Sequence, residues 1–245
     1  MSKTANLHVY VVLLTLISGC ADAISFLALG QVLTAAMTGN TVFLGLALVN
    51  SGHLKPLGYI VALFGFMVGA AVGSVVLRNK RHEKGITWGV TSTLALELFG
   101  FILFMVFTYI FGKSLLPLLI FTLAFSMGVQ GVAARRIGVN GVPTTVITST
   151  TTGLMEAIVW NTYDKFRRKQ HPSEKIDPPI PGSSMTVWAT VLVSYCVGAA
   201  MCGFIEKQWG LHAIWLPICL STGVVMAAVT TNLRVRATER AKIEV

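Results

Sequence analysis

The chain has 245 residues, of which 54% are hydrophobic and only 12% charged, with a formal net charge of +9. Average soluble domains carry about 25% charged residues, so most of these side chains require lipid as their solvent. The basic residues lie in short runs between long apolar segments, which argues against a nucleic-acid-binding surface and is typical of membrane-flanking loops.

Six segments are long and apolar enough to cross a bilayer, which requires about 20 mainly apolar residues. In chain order they are 8–29, 57–78, 88–111, 115–134, 186–205 and 211–231. Two further segments, 31–50 and 139–160, are apolar but rich in Thr and Gly, and the second contains Pro143. Orientation decides how these two segments behave.

Basic residues concentrate in three regions, 78–84, 161–185 and 234–242. The positive-inside tendency places all three in the cytoplasm, which is consistent only if 31–50 and 139–160 enter the membrane and return on the same side. Lys55, Lys113 and Lys207 then lie outside, and both termini lie in the cytoplasm. The prediction is an all-α, multi-pass protein of an inner (plasma) membrane, with six transmembrane helices and two re-entrant half-helices.

The sequence also contains an internal repeat with an offset of 108–110 residues. Gly19, Asp22 and Gly30 in the first half correspond in this alignment to Gly128, Gln130 and Gly138 in the second. We predict a first repeat over 1–111 and a second over 112–245, which includes a polar cytoplasmic loop at 161–185. Three crossings separate the two first helices, so the repeats have opposite orientation, a common plan of secondary transporters.

The two broken segments predict a binding site. Half-helices starting near Thr38 and Ser149 are expected to point their N-termini at each other near the midplane, where free N–H groups and the helix dipole attract an anion or a carbonyl oxygen. Hydroxyl and amide groups at these starts can cap the helices and also bind a solute. Capping alone is the alternative. The candidate solute-binding residues are Thr38, Gly39, Asn40, Thr41, Thr148, Ser149, Thr150 and Thr151.

Charged and polar residues within apolar helices are costly and usually functional. Asp22 is a candidate proton-coupling residue, with a structural hydrogen bond to the half-helix amides as the alternative. Glu97 either faces the cavity or pairs with a polar neighbour such as His212. Gln130 is expected to hold the second half-helix, and Arg135 to attract anions at the inner mouth or to contact lipid headgroups.

Several of these motifs resemble the signature stretches of the YoaK family of bacterial integral membrane proteins. The resemblance covers nearly the whole chain, and Ser149 departs from the Gly that the family usually has there. It implies a membrane protein and no particular substrate. The motifs are Gly19-x-x-Asp22-Ala23-x-Ser25-Phe26, Met37-Thr38-Gly39-Asn40-Thr41, Gly128-x-Gln130, Ala134-Arg135-Arg136 and Val142-Pro143-Thr144-Thr145.

Three functions compete at this point. The first is a small secondary transporter or channel for an anionic or carbonyl-bearing solute; the second is a membrane sensor or assembly protein without transport. The third, a membrane enzyme, is disfavoured because the five histidines are widely separated and Asp22 has no clear acidic partner. We expect no cofactor, metal or nucleic acid; the partners are the lipid bilayer and a small solute, and a homodimer is left open.

Overall fold

A computed structural model describes residues 3–49, 54–78, 85–137, 147–170 and 182–243, and these residues form helices joined by short turns. The helices are α1 (Lys3–Ala28), α2 (Met37–Leu48), α3 (Pro56–Val76), α4 (Trp88–Phe111), α5 (Leu116–Ile137), α6 (Ile147–Gln170), α7 (Gly182–Trp209) and α8 (Trp215–Ile243). A short 3₁₀ helix at Gly210–Ile214 joins α7 to α8. The predicted all-α class is confirmed.

Five stretches are long and apolar enough to cross a membrane. Four coincide with α1, α3, α4 and α5, and the fifth is a 54-residue stretch, Met185–Thr238, that contains most of α7 and α8. This supports a multi-pass membrane protein. The number of crossings and the inverted repeat remain predictions.

The break after α1 follows from local backbone chemistry. Gly30 and Gln31 both have positive φ, at 88° and 61°, and the Gln31 N–H donates to the Phe26 carbonyl at 3.1 Å. Left-handed backbone cannot continue a right-handed helix, so α1 stops and the chain turns. The twelve residues of α2 then give about 18 Å at ~1.5 Å per residue, which is too short to cross ~30 Å of hydrocarbon.

The second broken segment differs from its prediction. We expected a helix over about 149–160 followed by a polar loop at 161–185, but α6 runs from Ile147 to Gln170. Its last ten residues contain no Gly or Pro and several good helix formers, which extends the helix. The 138–146 part of the segment, with Pro143, and residues 171–181 of the loop lie outside the described ranges, and α7 already begins at Gly182.

Two helix pairs form the centre of the fold, α1 with α7 and α3 with α5. Each pair makes its closest approach at glycines, where an added Cβ would overlap the facing backbone. Gly19 faces Tyr195 and Gly198 faces Leu16 in the first pair; the equivalent contacts in the second are Gly128 with Phe66 and Gly69 with Phe125. The contact residues of α1 and their counterparts in α5 are 109 positions apart in the sequence, within the 108–110 predicted for the repeat. Those of α3 and α7 are 129 positions apart.

The remaining helices pack around this centre in the same pattern. α2 packs against α3, α6 packs against α7, and α4 and α8 contact each other while α4 also packs on α5 and α8 on α1. The two half-helices therefore lie on different helix pairs. This arrangement positions the polar residues described next.

Candidate functional site

The carboxylate of Asp22 lies in a nest of backbone amides immediately before α2. Its Oδ1 accepts hydrogen bonds from the N–H groups of Thr34 and Ala35, each at 2.7 Å, and its Oδ2 accepts from Ala36 N–H at 3.1 Å. Asp22 is only 4% exposed. Successive N–H groups at a helix start form an anion-binding concavity, and here the protein's own carboxylate fills it.

A side chain from the second half completes this nest. The Tyr195 hydroxyl of α7 donates a short hydrogen bond to Asp22 Oδ2. The nest thus joins α1, the segment before α2, and α7. The sequence analysis missed Tyr195, which lies in an apolar helix without a motif; its only sequence signal is its position three residues before Gly198 on the close-packing face.

Asn40 folds the turn back onto α2. Its Oδ1 accepts from the Leu33 N–H at 2.9 Å, and its Nδ2 donates a short hydrogen bond to the Leu33 carbonyl. Ser25 Oγ donates a hydrogen bond to the backbone carbonyl of Asp22 at 3.1 Å and lies 3.4 Å from Thr34 Oγ1. Because Asn40 is fully buried, it acts as a structural brace that fixes the amides around Asp22.

The other predicted solute-binding residues of the first half are placed differently. Thr38 is exposed and Gly39 is partly buried, and the Leu33 side chain packs over Gly39. Thr41 is exposed, and its hydroxyl donates to the Met37 carbonyl one turn earlier, at 3.0 Å. Of this group, Asn40 is the residue whose side chain bonds the backbone just ahead of the nest, at Leu33.

In the second half, Thr150 is fully buried, whereas Thr148, Ser149 and Thr151 are exposed. The Thr151 hydroxyl donates to the Ile147 carbonyl at 2.9 Å. The segment that would supply amides ahead of α6 lies within 138–146, outside the described residues. Among the described residues, α2 packs on α3 and α6 on α7, and the facing of the two half-helix starts stays a prediction.

A second buried polar cluster surrounds Glu97. Its Oε1 accepts from Gln130 Nε2 at 3.1 Å and from Ser221 Oγ at 3.3 Å. Gln130 Nε2 also donates to the Leu14 carbonyl at 3.1 Å, and Gln130 Oε1 accepts from Ser18 Oγ at 2.8 Å. The cluster connects α1, α4, α5 and α8.

The structure gives other partners to Gln130 and His212. Both amide protons of Gln130 are used on Leu14 and Glu97, so this side chain braces α1 and α4, and its contact with the second half-helix stays a prediction because residues 138–146 lie outside the described ranges. His212 does not pair with Glu97; its ring packs on Tyr109 with centroids 5.1 Å apart. Arg135 is exposed in the last turn of α5, as expected for a residue at a helix mouth.

The two carboxylate clusters are linked through α1. Ser18, which binds Gln130, and Asp22 are four residues apart and therefore lie one above the other on the helix, about 6 Å apart along its axis. Asp22 and Glu97, the two acids discussed above, therefore belong to neighbouring hydrogen-bonded clusters. Within the described ranges, no group of three His, Cys, Asp or Glu residues is arranged to hold a metal ion.

Comparisons with known proteins place this geometry in a family. A family model described as "Protein of unknown function (DUF1275)" matches residues 10–228. The chain is 32% identical over 230 residues to the UPF0700 transmembrane protein YoaK of Bacillus subtilis (strain 168), covering 93% of this chain and 96% of that protein. No solved structure matches the chain.

Proposed function

Since the chain belongs to the DUF1275 family of membrane proteins, as the YoaK-like motifs predicted, and since that family has no assigned function, we propose one from the Asp22 site. The protein is a small secondary transporter for an anionic or carbonyl-bearing solute, with proton coupling through Asp22. The observation that carries the proposal is a buried carboxylate held by three successive amides at the start of a helix too short to cross the membrane.

This site can exchange one anion for another. The amides of 34–36 and the positive end of α2 stabilise a negative group, and Asp22 supplies that group when no solute is bound. A solute carboxylate or similar anion that takes these donors leaves two negative groups close together, unless Asp22 takes up a proton. Solute binding and protonation are thereby coupled.

The position of the site between the two halves suits alternating access. Asp22 and the amide nest belong to the first half, and Tyr195 belongs to the second. In the first half, the three long helices cross the membrane and the short helix returns to the side from which its segment entered. The number of crossings is therefore odd, so the second half would have the opposite orientation. Rocking of α7 against α1 would then break the Tyr195 hydrogen bond and open the nest. The basic residues of α6 and α8 support cytoplasmic termini.

Glu97 is the second proton-carrying group in this proposal. It accepts hydrogen bonds from Gln130 and Ser221 in the middle of the helix bundle, one turn of α1 away from Asp22 through Ser18. A proton that leaves Asp22 can pass to this cluster through hydroxyl groups or water. Proton relays in transporters are built from such buried acids.

The test uses the purified chain in proteoliposomes, with a panel of small anions offered under an inward proton gradient. We expect anion uptake with simultaneous acidification of the lumen, reported by an internal pH dye. Asp22→Asn keeps the shape but cannot change charge, so uptake should lose its dependence on pH. Thr230→Val is the matched control, because its exposed hydroxyl only bonds within α8, to the Ala227 carbonyl, and it should behave as wild type.

Two outcomes contradict the proposal. Uptake by Asp22→Asn with an unchanged pH profile would show that the carboxylate is only a brace for the amides. A folded wild-type protein that moves no member of the panel would favour the alternative function, a sensor or assembly protein without transport. Tyr195→Phe removes the hydroxyl but keeps the Asp22 carboxylate, so it should alter the rate of anion uptake while leaving proton coupling in place.

A further inference from the structure

A cavity of about 440 Å³ lies where α1 ends and where α3 and α5 begin. Its walls are mainly apolar and include Leu29, Val32, Leu57, Leu116 and Ile120. Small-molecule sites in proteins are typically cavities of ~300–1,000 Å³ with mostly apolar walls and a few polar groups. Apart from Gln31, the polar side chains that line this cavity lie at the start of α3.

Lys55 and Tyr59 supply these polar groups. They are four residues apart at the start of α3, so they lie one turn apart on the same helix face. Lys55 forms no ion pair with a described residue. Tyr59 is 1% exposed, and its hydroxyl forms no hydrogen bond to any residue in the ranges that the structure covers. The hydroxyl oxygen is not among the buried polar atoms without a partner, so it is accessible and can donate to a ligand in the cavity.

The backbone of the same turn adds a third group that favours negative charge. α3 begins with Lys55 as its N-cap and Pro56 next, and no side chain caps the helix start. The free N–H groups of a helix start and the positive end of its dipole attract an anion. Lysine, hydroxyl and uncapped amides therefore converge on one end of an otherwise apolar cavity.

The opposite wall is held in a fixed shape. It is the turn at 29–32, in which Gln31 has the positive φ of 61° that residues with a side chain rarely adopt. A Cβ on Gly58 would lie 2.9 Å from the Val32 side chain, so α3 packs closely on this turn. The cavity wall is pre-formed, and such backbone strain is concentrated at ligand sites.

We infer that this cavity binds an amphiphilic organic monoanion, with its carboxylate or equivalent group at Lys55 and Tyr59 and its apolar body against Leu29, Val32 and Ile120. A hydrated inorganic anion would gain nothing from the apolar walls. A whole two-chain phospholipid exceeds the cavity volume, although one chain and the headgroup of an anionic lipid offer the same chemistry. The site is separate from the Asp22 nest, and its occupancy does not depend on transport.

The experiment measures binding of decanoate and of decanol, which share an apolar body but differ in charge. The full chain is placed in nanodiscs of neutral lipid, and each probe is titrated calorimetrically. We expect saturable binding of decanoate, about ten-fold tighter than decanol. Lys55→Gln should remove most of this preference, and Tyr59→Phe should weaken decanoate a few-fold without affecting decanol. Lys207→Gln, an exposed lysine at the end of α7, which contributes no residue to the cavity lining, should have no effect.

A second arm identifies the natural source of the ligand. Nanodiscs that contain anionic phospholipid should leave decanoate binding unchanged if a free organic acid is the ligand, and should compete with it if a lipid is. Equal affinity for decanoate and decanol, or full decanoate binding by Lys55→Gln, would overturn the inference. Because Lys55 is exposed, its variant should elute and melt like wild type, and loss of binding in a folded variant counts in favour of the site.

Discussion

Substitution of Gly69 by alanine should separate the central helix pair α3 and α5. A Cβ at Gly69 would lie 2.8 Å from the carbonyl carbon and 2.9 Å from the Cα of Phe125, and closer still to the carbonyl oxygen. Ordinary contact begins at 3.4 Å and the carbonyl oxygen is the nearest of the three atoms, so the backbones must part by about an ångström or more. Since backbone atoms cannot rotate away as a side chain can, we expect the upper end of overpacking costs, about 3 kcal/mol.

The matched control is Gly223→Ala in α8, where an added Cβ meets nothing within 4 Å. Alanine in a helix interior is more stable than glycine by about 0.5–1 kcal/mol, so this variant should be as stable as wild type or slightly more. The measurement is thermal unfolding of detergent-purified protein, followed by the loss of the monodisperse peak in size-exclusion chromatography. Gly69→Ala should unfold several degrees below both.

The same experiment tests the repeat. Gly198 faces the Leu16 backbone as Gly69 faces Phe125, so Gly198→Ala should be destabilised to a similar extent. A Gly69→Ala protein that unfolds at or above the temperature of Gly223→Ala would refute the close backbone packing. A large loss at Gly69 with none at Gly198 would refute the equivalence of the two helix pairs.

Two further changes test the polar clusters by thermal unfolding. Asn40→Ala leaves the partly buried N–H and carbonyl of Leu33 without their partner, so it should cost about 1 kcal/mol or more, and wild-type stability would contradict the bracing role. Glu97→Gln retains an acceptor oxygen for Gln130 and Ser221 and should be tolerated. Glu97→Leu leaves both donors without an acceptor and should cost at least about 1 kcal/mol more. Equal stability of the two variants would argue against this cluster.

Positions of the helices could be predicted from local sequence. Each of the six apolar segments corresponds to a helix, and the short α2 begins at Met37, one residue before the expected start. The signals are the length of the apolar run and the glycines that break it, which act over a few residues. The polarity of the stretch after Trp160 predicts a loop and so places the end of α6 too early, because the residues of this stretch favour helix.

The candidate site was predicted in part. Asp22 stands out because an acid in an apolar helix must find donors, and the amides before α2 were the nearest unsatisfied ones. The partners from distant helices were not predictable. Gln130 aligned with Asp22 in the repeat and was expected to act like it, but the packing of α5 against α1 and α4 directs its amide to Glu97 and Leu14.

By itself, therefore, the sequence determined the membrane environment, the helix segments and the presence of buried acids, since hydropathy and helix breaking are local properties. Tertiary structure alone decided that Tyr195 binds Asp22, that the half-helices pack on separate helix pairs, and that Lys55 and Tyr59 line a cavity. These contacts depend on which helix faces approach each other, and that is set by close backbone packing at glycines such as Gly19 and Gly69 over the whole bundle.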